Sequence, residues 1–234
     1  MNFIRGHWYD IGMVLAVPAA VWALLGDLDT VPLILLLNFI VILLHQFEEY
    51  RFPGGEPWIL NEVIQPKGGP ADRYPLNQNN AAFINILAWA FYVVPIFFPG
   101  QVWLGLGQVL FGMVGQFVIH VVQTNIKLKS FYNPGQAAVL LGHVPLGIWY
   151  LIEVYGQNLI SGWDWLFAVA SIAFFIGVIM LRIGYGIMVD KNSPHPFTPA
   201  EMNRFGRLRR LRHAGITPLP LIPADAGESD RASA

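Results

Sequence analysis

Among the ionisable residues in or beside apolar stretches, five have types and spacing that could do chemistry. In His45-Gln46-Phe47-Glu48-Glu49 the histidine and both glutamates fall at i, i+3 and i+4, so on a helix all three project from one face. Asn38, seven residues earlier, joins that face. Gln116, His120 and Gln123 repeat the helical spacing, with Asn125 just beyond, and Asn80 and Asn85 open another apolar run. His143 lies eight residues after Gly135, about 12 Å along a helix axis at 1.5 Å per residue. An ionisable group inside a membrane span costs roughly 2.5–3.5 kcal/mol on insertion scales, so each of these residues needs a partner or a purpose.

Imidazole nitrogens and carboxylate oxygens are the ligand types of zinc, iron and manganese, and His-x-x-Glu on a helix offers both to one ion. His45 with Glu48 or Glu49, joined by His120 and His143, would supply three or four ligands to a divalent metal, zinc first and iron or manganese next. A spare carboxylate, with Glu49 the candidate, could serve as general base on water activated by the metal. The amides of Asn85, Gln116 and Asn125 would orient ligands or polarise a substrate oxygen. The leading expectation is therefore a membrane metalloenzyme hydrolysing an apolar or amphipathic, lipid-like small molecule. A metal-free His/Glu acid–base isomerase, a di-iron oxidative enzyme and a proton-coupled transporter are the alternatives. The transporter lacks evident internal repeats, and the di-iron chemistry wants more carboxylates than two.

Such a site needs helices from several parts of the chain to meet at one depth. Apolar runs near the 20 residues that a bilayer demands occur at 10–26, 31–48, 81–98, 101–123, 135–155 and 163–183. The expected fold is thus all-α, a polytopic membrane bundle of six transmembrane helices. With both termini cytoplasmic, every basic residue falls inside. Arg5 precedes the first run, Arg51, Lys67 and Arg73 lie between the second and third, Lys127 and Lys129 between the fourth and fifth, and the rest at or after the end of the sixth. The alternate connections, near 27–30, 99–100 and 156–162, carry none. In that orientation the His45 motif, His120 and His143 all occupy the cytoplasmic half of the bilayer. His7, His195 and His213 lie outside the spans and read as ordinary surface residues.

Composition agrees. Of 234 residues 55% are hydrophobic and only 12% charged, and mean hydropathy is +0.49, against roughly 25% charged residues in soluble domains. Fourteen Lys and Arg against 15 Asp and Glu leave no basic field for nucleic acid. The absence of cysteine excludes disulfides, thiolate catalysis and Cys-ligated metal.

The chain divides into a six-helix domain over 1–190 and a tail over 191–234. Within the first, residues 51–79 carry five prolines and four glycines and read as a cytoplasmic loop, with Trp58, Ile59 and Leu60 hinting at a lid. In the tail, Thr198-Pro199-Ala200-Glu201 combines an N-cap, a first-turn proline and a capping-box glutamate. It predicts a short basic helix over 199–213 suited to membrane lipid, followed by a disordered end.

His45-Gln-Phe-Glu48-Glu49 resembles the motif of the HXXEE-domain family of small bacterial membrane proteins. The resemblance extends to a later span histidine, His120, followed by the turn Tyr132-Asn133-Pro134-Gly135 that opens the next helix, and to Pro145 in that helix. It covers about residues 30–155. It implies an inner-membrane domain with an active site, and Gln116 stands where members favour an asparagine ahead of the histidine. Glu48-Glu49-Tyr50-Arg51, Phe117-x-x-His120 and His143 also approach the motifs of prenyl-protein-type glutamate intramembrane proteases, but every spacing differs and membership is not supported.

Overall fold

The structure, a computed structural model, describes residues 2–204. Those residues contain eight helices and no strand. Six helices are long and apolar enough to cross a membrane. They are α1 (Asn2–Leu25), α2 (Thr30–Tyr50), α4 (Gln78–Phe97), α5 (Val102–Leu128), α6 (Gln136–Gly156) and α7 (Gly162–Ile187). Two short helices are α3, which starts at Glu56–Trp58 and continues through Ile59–Ile64, and α8 (Pro199–Met202). The spans alternate in direction, so both described ends share one face of the bundle, called here the terminal face.

Each predicted span is found, and several helices outrun the apolar run that revealed them. The first begins at Asn2 rather than residue 10, because Phe3–Asp10 stays helical beyond the apolar segment, and the fourth continues to Leu128. Hydropathy marks where a helix is greasy, whereas backbone hydrogen bonding and caps mark where it ends. The caps are local. Asn77 accepts from the backbone N–H of Asn79 and Asn80, and the Asn80 side chain returns a bond to the Asn77 N–H, which starts α4. Ser161 and Asp164 make the same reciprocal box at the start of α7.

Helix α2 is the central rod, packed against α1, α4, α5 and α6. Ile34, Leu35, Leu36, Ile42 and Leu43 fill the core with Tyr92, Leu106, Val109 and Phe111. The terminal-face halves of α5 and α7, Phe111–Thr124 and Phe175–Ile187, and the stretch Val139–His143 of α6 are wound with π-type i→i+5 bonding. Such wide turns cluster at functional sites.

The segment from residue 51 to 79 packs onto the terminal face. Trp58, Ile59 and Leu60 are buried with Trp8, Tyr50, Leu76 and Phe197. Asn61 staples the segment, donating to the carbonyls of Ala71 (2.7 Å) and Leu76 (2.9 Å) while accepting from the Leu76 N–H (2.8 Å). Residues 191–204 fold back over the same face: Phe197 N donates to Asp72 O, Tyr9 donates to Glu201, and the Arg204 guanidinium reaches the Tyr50 carbonyl. The expected capping box at Thr198 forms, with Glu201 as its partner, but the helix ends at Met202. The remainder of the helix expected to 213, and the tail beyond it, lie outside the described residues.

Candidate metal centre

His45 and Glu49 stand one turn apart on α2, and His120 approaches from α5. Glu49 Oε1 lies 3.5 Å from His45 Nε2 and 3.3 Å from His120 Nε2. The two imidazoles meet edge to face at 4.8 Å between centroids, and all three side chains are buried. Their ligand atoms fall within 4.8 Å of one another, an arrangement that could hold a metal ion.

The opposite nitrogen of each ring decides what the near one offers. His45 Nδ1 is 3.0 Å from the Gly135 carbonyl. A carbonyl only accepts, so Nδ1 carries a proton, and in the neutral ring Nε2 turns its lone pair toward Glu49. His120 Nδ1 is 2.8 Å from Asn133 Oδ1. The orientation of that amide is fixed by its other end, because Asn133 Nδ2 donates to the His120 carbonyl, Asn125 Oδ1 and Gln136 Oε1. His120 therefore also turns an unprotonated Nε2 inward. With both rings neutral, two nitrogen lone pairs and a carboxylate oxygen converge in a buried space, where a cation, a proton or a metal ion, relieves their repulsion.

The turn Tyr132-Asn133-Pro134-Gly135 builds this centre from below. Gly135 adopts φ +94°, a left-handed conformation open to glycine. A Cβ on it would come within 2.7 Å of His120 Cε1, 2.8 Å of His45 Cε1 and 3.1 Å of Glu49 Cγ. The residue thus admits the three candidate ligands and presents its carbonyl to one of them.

Residues 36–150 match the family described as a protein of unknown function with HXXEE motif. They form an HXXEE domain. The match confirms the resemblance read from His45, Glu48 and Glu49. No curated protein and no solved structure matches the chain.

The second glutamate of the HXXEE motif joins the centre and the first turns away. Glu48 accepts from the Tyr132 hydroxyl (2.8 Å) and from the backbone N–H of Ala137 (3.1 Å) and Ala138 (2.9 Å). It caps the start of α6 across the helix interface, with the favourable sign of charge for a helix N-terminus. His143, the third histidine of the HXXEE domain, lies deeper. Its ring centroid is 5.8 Å from that of His45, its Nδ1 is 2.6 Å from Asn38 Oδ1, and it stands outside the three-residue group.

Of the amides, Asn85 and Gln116 line the cavity beside the centre, whereas Asn125 binds Asn133 and Gln136 and so supports the residue that holds His120. The cavity measures about 280 Å³. Its polar end is walled by His45, Glu49, His120 and a residue that spacing did not single out, Glu56. That side chain begins α3 in the loop over the terminal face, and its Oε2 is buried without a hydrogen-bond partner among the described residues. Burial, and then the Glu49 carboxylate, push its carboxyl up to about 8, with His120 acting in the opposite sense. No sequence signal marks Glu56, because only the folding of its loop onto the bundle buries it.

The HXXEE domain therefore joins two imidazoles and one carboxylate to a second carboxylate across a cavity.

Proposed function

We propose that His45, Glu49 and His120 hold one divalent cation, zinc first among the candidates, and that the centre hydrolyses a carbonyl bond of an apolar or amphipathic substrate. The carrying observation is that the Nδ1 atoms of both imidazoles are held by acceptors outside the centre, so that both Nε2 atoms face one carboxylate oxygen. The spacing of two of the three edges supports it: ligands roughly 2.0–2.2 Å from a tetrahedral ion lie about 3.4 Å from one another, the edges to Glu49 are 3.3 and 3.5 Å, and the three atoms lie within 4.8 Å of one another.

A cation at these donors would lower the proton affinity of adjacent water and polarise a carbonyl oxygen. This chain's own residues supply the rest. Glu56 faces the same cavity; a bound cation would favour its ionised form, and in that form Glu56 accepts a proton from water as the water oxygen bonds to the carbonyl carbon. It returns that proton to the departing alcohol oxygen or amine nitrogen as the carbon–heteroatom bond breaks, giving a carboxylic acid and an alcohol or amine. Gln116 lies where an amide N–H can bond the substrate carbonyl, Asn133 and Gly135 hold the imidazoles, and Leu60, Ile64 and Ile84 keep bulk water out. Two histidines and one carboxylate also suit ferrous iron, so the identity of the bound metal separates hydrolysis from oxidative chemistry.

Turnover of a long-chain acyl ester by the purified, zinc-loaded protein in detergent micelles tests the reading. Glu56→Gln is expected to keep the metal and lose at least 100-fold in kcat, the scale of acid–base catalysis. Equal turnover in Glu56→Gln and the parent would overturn the role of Glu56, and turnover unchanged by chelation would overturn the metal.

A further inference from the structure

The cavity is polar only at one end. From the His/Glu centre it runs between the terminal-face halves of α5 and α7, where Phe111, Ile119, Phe175, Ile176 and Met180 line it. These two helices pack closely in their other halves, Val102–Leu110 against Gly162–Phe174, with Gly107 so near that a Cβ would lie 2.6 Å from Ser171 Oγ. Phe111 and Phe175, edge to face at 5.4 Å between centroids, extend that contact by one step, and beyond them the helices part. The second half of α7 leans on α4 instead, where Gly184 meets Ile84, and it scarcely touches α5. Val118 and Val122 on α5 and Val178 and Leu181 on α7 are exposed, and Leu181 also lines the cavity. In a chain whose six long helices are fit to cross a membrane, a sideways gap between two spans opens onto lipid chains rather than water.

We infer that this gap is a lateral entrance for a neutral, single-chain acyl ester or amide, whose chain lies between α5 and α7 while its carbonyl reaches the His/Glu centre. The inference rests on the hydrolytic reading above and names its substrate class. Three features fix the occupant. The apolar walls sit at the depth of the bilayer, so they match a hydrocarbon chain. The volume, about 280 Å³, falls at the lower edge of the roughly 300–1,000 Å³ typical of small-molecule sites, which suits one chain and not two. The polar end offers the carboxyl groups of Glu49 and Glu56 and the amides of Asn85, Gln116 and Gln123, and among the described residues no lysine or arginine lines the cavity. An anionic headgroup finds no lysine or arginine partner among the described lining residues, whereas an uncharged carbonyl finds amide donors.

Photolabelling in phosphatidylcholine vesicles tests this, with a monoacylglycerol carrying a mid-chain diazirine as probe and the corresponding free fatty acid as the anionic comparison. Zinc content is measured on the same samples. The expected result is cross-linking concentrated at Ile119, Phe175, Ile176 and Met180. Ile176→Trp, or Ile119→Trp from the facing wall, should reduce it at least tenfold, each keeping the parent's zinc content. The fatty acid should label the same residues several-fold less. Labelling spread evenly over lipid-facing positions such as Val17 and Phe167, or undiminished in both tryptophan variants, would overturn the entrance. Stronger labelling by the fatty acid would overturn the neutral headgroup. Zinc bound with no cavity labelling defeats the entrance alone, and cavity labelling with no zinc defeats the metal reading alone.

Discussion

The carbonyl of Gly135 accepts the Nδ1 proton of His45 across 3.0 Å, and the missing side chain of the same glycine leaves room for His45, His120 and Glu49 together. One residue in the turn before α6 thus holds one candidate ligand by its Nδ1 and sets the clearance of three. Gly135→Ala should destabilise the protein by about 1–3 kcal/mol from its left-handed backbone alone. It should also lose zinc, because the methyl group would displace both imidazoles. Thermal unfolding with metal analysis checks both.

Asn133 does for His120 what the Gly135 carbonyl does for His45, at 2.8 Å, and its amide nitrogen is spent on three acceptors. Asn133→Ala should weaken zinc binding about 10- to 100-fold, as loss of an orienting partner commonly does. Asn133→Asp keeps an acceptor for His120 and should restore much of that affinity while losing the three donated bonds in stability. Competition titration against a chromogenic chelator reads this.

Glu48 and Glu49 are neighbours in the motif with opposite duties. Glu48→Gln removes a charged acceptor from the N–H groups of Ala137 and Ala138. A cost of about 0.5–2 kcal/mol is expected from the scale of capping interactions, with zinc content unchanged. Glu49→Gln should do the reverse, losing zinc at a smaller cost to the fold. His143→Ala is likewise expected to retain the ion, since His143 pairs with Asn38 outside the group.

Glu56 gives the metal-free protein a pH dependence with a definite sign. Its carboxyl sits at about 8 in the folded chain, raised by burial and then by Glu49, above the ordinary value of 4.5. The folded state therefore holds this proton more tightly than the unfolded one. The stabilisation is complete below the ordinary carboxyl range and drains away as pH rises toward and through 8. Thermal unfolding of the zinc-free protein should fall between pH 5 and 9, and Glu56→Gln should flatten that fall. An equal slope in both proteins would show that Glu56 does not carry it.

Much of this site was legible in the sequence, through depth rather than through any one motif. Counting apolar residues gives six helices, and alternating their direction brings His45, Glu49 and His120 to one level from rods that are far apart in the chain. The roles of Glu48 and Glu49 were not separable, because i+3 and i+4 share a helix face and only the position of α6 decides which carboxylate finds backbone N–H groups. Asn133 and Gly135 were visible as a turn, yet their service to the histidines depends on where that turn lands. Asn125 sits one step behind Asn133, a distinction periodicity cannot make. Glu56 lay in a Pro/Gly-rich segment that reads as solvent-exposed, and it is buried because Trp58, Ile59 and Leu60 carry that segment onto the bundle.

The most direct test is zinc stoichiometry of the purified protein by mass spectrometry, with cobalt substitution to report coordination. One ion per chain and a tetrahedral cobalt spectrum are expected, retained in Glu48→Gln and His143→Ala and abolished in His45→Ala, Glu49→Gln and His120→Ala. A folded protein that takes up no divalent metal, or binding that survives all three ligand substitutions, would contradict a metal centre at these residues.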